Sequence, residues 1–254
     1  MNLISNLPLY LLSLPVALLA LSVHESAHGY VAYKLGDPTA YSLGRLTLNP
    51  LKHFDPIGLI CMVIFHIGWA KPVPINTRYF KNPKRGMALS AAAGPASNLF
   101  LALVFAILLR IEILLVNMFA ADNFVSYQDI LFIPLESASA EIKVLSILAY
   151  MLHVGILLNT SLAIFNMIPI PPFDGSRIAH VFLPSKWYFA IMRYEQYIMI
   201  AFLILLWIAP GKWLSNATGL LSSGLRWIVG LNSDNTATME FSAMILYVQN
   251  ALTL

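Results

Sequence analysis

Residues 7 to 33 form an apolar run long enough to cross a bilayer as a helix, which takes about 20 residues, and yet they include His24, Glu25 and His28. Placing a charged group inside a spanning helix costs about 2.5–3.5 kcal/mol on insertion scales, so such residues point to function. His24-Glu25-Ser26-Ala27-His28 is an HExxH pattern. On a helix, positions i and i+4 share a face, so both imidazoles reach one zinc, while Glu25 is placed to hold the attacking water. The bland alternative is a polar helix face lining a bundle.

Composition fixes the setting. The chain has 254 residues, 59% hydrophobic and only 11% charged. A soluble domain carries about a quarter charged residues, so an ordinary cytosolic enzyme and a disordered chain are both excluded. One cysteine, Cys61, excludes an internal disulfide and a cysteine zinc cage. The first basic residue is Lys34, so the N-terminus lacks a signal peptide's positive region. The basic residues flank hydrophobic runs, which suggests topology and no nucleic-acid partner.

The chain reads as an all-α polytopic membrane protein with four to six transmembrane segments and a small membrane-associated β-sheet. The HExxH helix covers about 7–33. A β and re-entrant region covers about 40–80. Helices follow at 87–118, 142–175 and 187–209, then a weak span or interfacial helix at 213–231. Residues 1–232 form one membrane domain and 233–254 a C-terminal tail. The run 57–70 would rise only about 21 Å as a helix, short of the core, so it is read as dipping in and returning, with a deeper, tilted span as the alternative. Tyr41 to Leu48 partly alternates, and Pro72-Val73-Pro74-Ile75-Asn76 reads as an edge strand whose prolines leave one edge without donors. A plain loop is the alternative to the sheet.

Two histidines leave a catalytic zinc short of the three protein ligands it usually has. Asp174 stands out among the carboxylates, because Pro169, Pro171 and Pro172 break a helix at membrane depth and Gly175 permits a tight turn. A helix-stop turn with a capping aspartate explains the same residues equally well.

HExxH in the first long helix, with Asn166-Met167-Ile168-Pro169-Ile170-Pro171-Pro172-Phe173-Asp174-Gly175 in a later one, resembles the site-2 protease family of intramembrane zinc metalloproteases. Gly68 to Asn76 and Ala93-Gly94-Pro95-Ala96-Ser97-Asn98 resemble it as well. The resemblance implies one zinc per chain on His24, His28 and Asp174, with Glu25 as catalytic base and Asn166 near the substrate. Phe173 departs from the family's usual leucine. No PDZ or CBS domain fits, so the chain resembles a minimal form. Asn98 is a packing residue, a support for a ligand or a substrate contact. Pro72, Val73, Pro74 and Ile75 are candidates for holding an extended substrate strand.

The function so implied is a zinc-dependent endopeptidase acting on transmembrane protein substrates that unwind locally within the lipid bilayer. Its rival is a membrane zinc carrier or inactive scaffold. Residues 34 to 85 hold eight basic residues and 175 to 194 three more, eleven of the fifteen, while the 119–139 loop has none. The positive-inside rule then puts the zinc site toward the cytoplasm and the N-terminus outside. The minimal form resembles proteins of a prokaryotic plasma membrane.

Overall fold

The computed structural model describes residues 7–53, 55, 71–119, 140–208 and 212–231. Eight α-helices occur among them: α1 (Leu7–Lys34), α2 (Thr39–Ser42), α3 (Pro83–Phe119), α4 (Ala140–Asn166), α5 (Asp174–Ala179), α6 (Ser185–Met192), α7 (Glu195–Ile208) and α8 (Lys212–Ile228). Short 3-10 turns stand at Pro50–Lys52 and Thr77–Tyr79.

Three helices are long and apolar enough to cross a membrane: Leu11–Lys34, Pro83–Met118 and Ala140–Asn166. The chain is therefore an integral membrane protein with three candidate spans among the described residues, and the expected four to six is corrected. The run 187–209 fails for a local reason. A turn at Arg193 and Tyr194 divides it into α6 and α7, and the 14 residues of α7 rise only about 21 Å. Helix α8 has 17 residues, with Thr218 and Ser222 buried and Leu220, Trp227 and Ile228 exposed. The expected re-entrant run 57–70 and the tail 233–254 lie outside the described residues.

No β-sheet occurs among the described residues, which overturns the expected surface sheet. Residues 71–76 are extended but unpaired as a strand. Pro72 and Pro74 have no N–H, and side chains take two of the donors that remain: Val73 N–H goes to Glu25 and Asn76 N–H to Asp37. In the alternating segment 41–48, Ser42 still belongs to α2 and Gly44 turns the chain at φ +62°.

The described residues divide into two compact units. One draws on the described residues 7–17, 100–119, 140–160 and 215–231, with a core of Val16, Phe105, Ala106, Leu109, Ile113, Ala149, Leu152, Ile156 and Leu231. The other draws on the described residues among 18–99 and 161–214 and contains the candidate site. Helix α1 stops in a Schellman turn. Gly36, at φ +107°, donates to Tyr33 O, and Asp37 N–H donates to Ala32 O. That turn delivers the fully buried Asp37 carboxylate to Thr39 N–H, Thr39 Oγ1 and Asn76 N–H.

Candidate active site

Helix α1 carries His24 and His28 one turn apart, and both are buried. Their outer nitrogens are committed. His24 Nδ1–H donates to Asn98 Oδ1 at 2.5 Å, and His28 Nδ1–H donates to the Ser90 carbonyl at 2.7 Å. Asn98 is oriented for this because its Nδ2 donates to Ala20 O at 3.4 Å. With Nδ1 protonated, each neutral imidazole presents its Nε2 lone pair inward, the usual way a second partner prepares a metal-binding histidine.

Asp174 arrives by a different route. Helix α4 ends at Asn166, the prolines turn the chain, and α5 begins at Asp174. The first turn of α5 packs so closely on the preceding segment that a Cβ on Gly175 would lie 2.5 Å from Ile168 O. Phe173 sits between Phe165 and Phe202, with ring centroids 4.5 and 5.1 Å away. An aromatic side chain thus fills the position where the resemblance leads one to expect leucine, and its neighbours are aromatic too.

The result is three ligand atoms at one point. Asp174 Oδ2 lies 3.2 Å from His24 Nε2 and 3.2 Å from His28 Nε2, and the two Nε2 atoms are 3.0 Å apart. Asp174 Oδ2 is buried and makes no hydrogen bond of acceptable geometry. Three lone pairs facing one another repel unless a cation lies among them. A tetrahedral zinc with bonds of about 2.0–2.1 Å separates its ligands by about 3.3 Å, close to the edges of this triangle. The donor set, two imidazoles and a carboxylate, is one that catalytic zinc accepts. Burial by itself would raise the Asp174 pKa; protons on the two Nε2 atoms, standing where the metal cation would, outweigh it and hold the carboxyl well below the usual carboxylate range.

Helix α3 closes the site from the other side, and only glycine fits there. A Cβ on Gly94 would come within 2.5 Å of His28 Nε2 and 2.6 Å of His24 Cε1. Sequence reasoning did not find Gly94 or Ser90 as site residues. The run of small residues from Ser90 to Ser97 was the available sign that a backbone approaches closely here.

Glu25 stands beside the triad on α1, half-buried, and its Oε2 accepts the Val73 N–H at 2.8 Å. The Val73 donor proposed for a substrate strand is therefore engaged by Glu25. Pro72, Pro74 and Ile75 flank it in the same extended segment. Asn166 is not part of the triad; its Nδ2 donates to Leu162 O in its own helix at 3.0 Å.

Among known proteins, the sequence profile of peptidase family M50 matches residues 13–208. YwhC of Bacillus subtilis (strain 168), provisionally named a zinc metalloprotease, is 38% identical over 194 residues, which is 74% of this chain and 76% of that protein. Rip2 of Mycolicibacterium smegmatis, with the same provisional naming, is 33% identical over 107 residues, 40% of each chain. Rip2 of Mycobacterium tuberculosis (strain H37Rv) is 26% identical over 199 residues, 76% of this chain and 65% of that protein. No solved structure matches the chain.

Proposed function

The chain belongs to peptidase family M50 and is a membrane-embedded zinc metalloprotease, and we propose that it hydrolyses peptide bonds in or near transmembrane segments of other membrane proteins. In this reading one zinc per chain binds His24, His28 and Asp174, and Glu25 is the general base. The observation that carries it is the convergence of three lone pairs beside a carboxylate that needs no metal.

When bound, the zinc supplies Lewis acidity that polarises the scissile carbonyl and acidifies the attacking water. The remaining work falls to the chain. Glu25 Oε2 is occupied by the Val73 N–H, so Oε1 is the oxygen that takes a proton from the water. The water oxygen adds to the carbonyl carbon. As the C–N bond breaks, Glu25 Oε1 delivers that proton to the departing amine nitrogen. Asn98 and the Ser90 carbonyl keep the imidazoles in one tautomer throughout. A helical substrate hides its carbonyls in hydrogen bonds, so the substrate segment must unwind before it reaches Glu25.

The charge distribution supports a site toward the cytoplasm with the N-terminus outside, in a plasma membrane. Lys34, Arg45, Lys52, Lys71, Arg78, Lys81, Lys84 and Arg85 lie from the last residue of α1 to the first turn of α3. Cleavage of a transmembrane test substrate by the zinc-loaded protein in proteoliposomes tests the assignment. Wild type should cleave and Glu25→Gln should not, with zinc retained in both. Equal cleavage by the two would remove Glu25, and with it this mechanism.

A further inference from the structure

The extended segment 71–76 is held through its backbone at both ends. Lys71 N–H donates to His53 O at 2.9 Å, and Asn76 N–H donates to Asp37 Oδ2 at 2.6 Å. Between these anchors Val73 is buried, and its Cγ1 lies where a Cβ on Gly29 would be 2.9 Å away. The segment meets the catalytic centre at the Val73 N–H, which donates to Glu25 Oε2 at 2.8 Å.

Arg45 acts on the same peptide from its other end. Its side chain is buried, and its Nη2 donates to Lys71 O at 2.8 Å and to Pro72 O at 3.3 Å. No carboxylate pairs with Arg45 among the described residues. The Pro72 carbonyl and the Val73 N–H belong to one peptide group. That group is trans, since Pro171–Pro172 is the cis bond among the described residues. In a trans peptide the C=O and N–H point in opposite directions. A guanidinium on the oxygen and a carboxylate on the N–H therefore set the rotation of a single planar unit. The cation also draws electron density toward the oxygen, which strengthens the N–H as a donor to Glu25. A buried charge whose partners here are two backbone carbonyls is costly unless those contacts matter.

We propose that Arg45 is a positioning residue for the general base: through the Pro72–Val73 peptide it fixes the Glu25 carboxylate so that Oε2 is held and Oε1 faces the attacking water. This rests on the assignment of Glu25 as base. Arg45 touches neither substrate nor metal ligand in this account, and its effect passes entirely through one amide.

The test measures kcat and KM separately for zinc-loaded wild type, Arg45→Gln and Arg45→Lys on a transmembrane test substrate in proteoliposomes, with zinc content and Tm alongside. Misorientation of a catalytic group costs up to about 100-fold in rate, so Arg45→Gln should lose roughly 10- to 100-fold in kcat with KM and zinc content unchanged. Arg45→Lys should recover part of the loss, because an ammonium still reaches one carbonyl. An ester in place of the Val73 amide, introduced as the α-hydroxy acid, removes the N–H and weakens the Pro72 carbonyl as an acceptor, so it breaks the same link and should reproduce the Arg45→Gln loss. Wild-type kcat in Arg45→Gln or in the ester variant overturns the proposal. So does a loss of zinc or Tm that tracks the loss of activity and is not rescued by lysine, because Arg45 would then be holding the fold. If wild type shows no zinc-dependent cleavage, the functional reading itself fails and this inference falls with it; cleavage by wild type but not by Glu25→Gln leaves that reading standing whatever the Arg45 variants do.

Discussion

Replacing Asn98 with alanine should weaken zinc binding without touching a ligand atom. Asn98 is fully buried on α3, and its Oδ1 accepts the His24 Nδ1–H at 2.5 Å. Removing that oxygen has two consequences. A buried N–H loses its acceptor, which costs about 1–3 kcal/mol. The imidazole is also free to place its proton on Nε2, the atom that must bind metal. Losing an outer-shell partner of a metal histidine typically lowers affinity about 10- to 100-fold, which is about 1.4–2.8 kcal/mol. The two estimates agree, so Asn98→Ala should bind zinc about 10- to 100-fold more weakly. Asn98→Asp keeps an acceptor on Nδ1 and adds charge, so it should hold zinc at least as well as wild type once loaded. Chelator competition on the purified protein, with zinc measured by elemental analysis, gives the affinities. The Tm of the metal-free protein separates misfolding from a local effect. An Asn98→Ala protein that folds and holds zinc with wild-type affinity would refute the claim that Asn98 sets the His24 tautomer.

Gly94→Ala should lose both zinc and activity, because its Cβ would press on both imidazoles and overpacking costs about 1–3 kcal/mol; Gly219→Ala, with no atom near its added Cβ, should keep both. Asp174→Ala should lose zinc as well as activity, and full zinc occupancy in it would show that a different carboxylate is the third ligand. Zinc affinity should fall on acidification, because protons compete with the metal for the two imidazole nitrogens. Titration with a zinc chelator at several pH values reads this directly, and a pH-independent affinity would argue against histidine ligands. For topology, single cysteines at positions 53 and 78 in a Cys61→Ser background should react with an impermeant thiol reagent from the same, cytoplasmic, face. Reaction from opposite faces would mean that residues 57–70 span the membrane.

The chemistry of the site was more legible in the sequence than its surroundings. His24 and His28 follow from helical periodicity alone, since no other arrangement of HExxH in an apolar run explains two imidazoles on one face. Asp174 was legible only in part: the prolines marked a break, but it took the family resemblance to make the aspartate more than a cap. Ser90 was not legible, because it contributes its carbonyl oxygen to His28, and every residue has one. Gly94 contributes the absence of a side chain, which a sequence shows without saying what approaches. The surface sheet misled because alternation and proline spacing describe an extended backbone without naming its hydrogen-bond partners. Residues 71–76 are extended, but Glu25 and Asp37 take the donors that a neighbouring strand would have used. The span count misled for the opposite reason. Hydropathy across 187–209 is nearly continuous, and the turn at Arg193 and Tyr194 interrupts the helix without interrupting the apolar character enough to show.

Those partners also separate functional polar residues from merely tolerated ones within the apolar helices. Ser22 Oγ donates to Leu18 O and Thr160 Oγ1 to Ile156 O, each to a carbonyl four residues back in the same helix. A group satisfied in this way fixes no distance to another element, and an apolar residue of similar size would preserve the packing. His24, Glu25 and His28 bond instead to Asn98, Val73 and Ser90, whose sequence separations run from 48 to 74 residues. Each such bond fixes the position of one element against another, and each fails when either partner moves. Their common endpoint is the triangle of His24, His28 and Asp174. The polar residues that bond within their own helix should therefore accept apolar replacement with little effect on zinc. Those that bond across elements should not, and that difference, more than burial or polarity, is what marks the catalytic centre in a chain so rich in apolar residues.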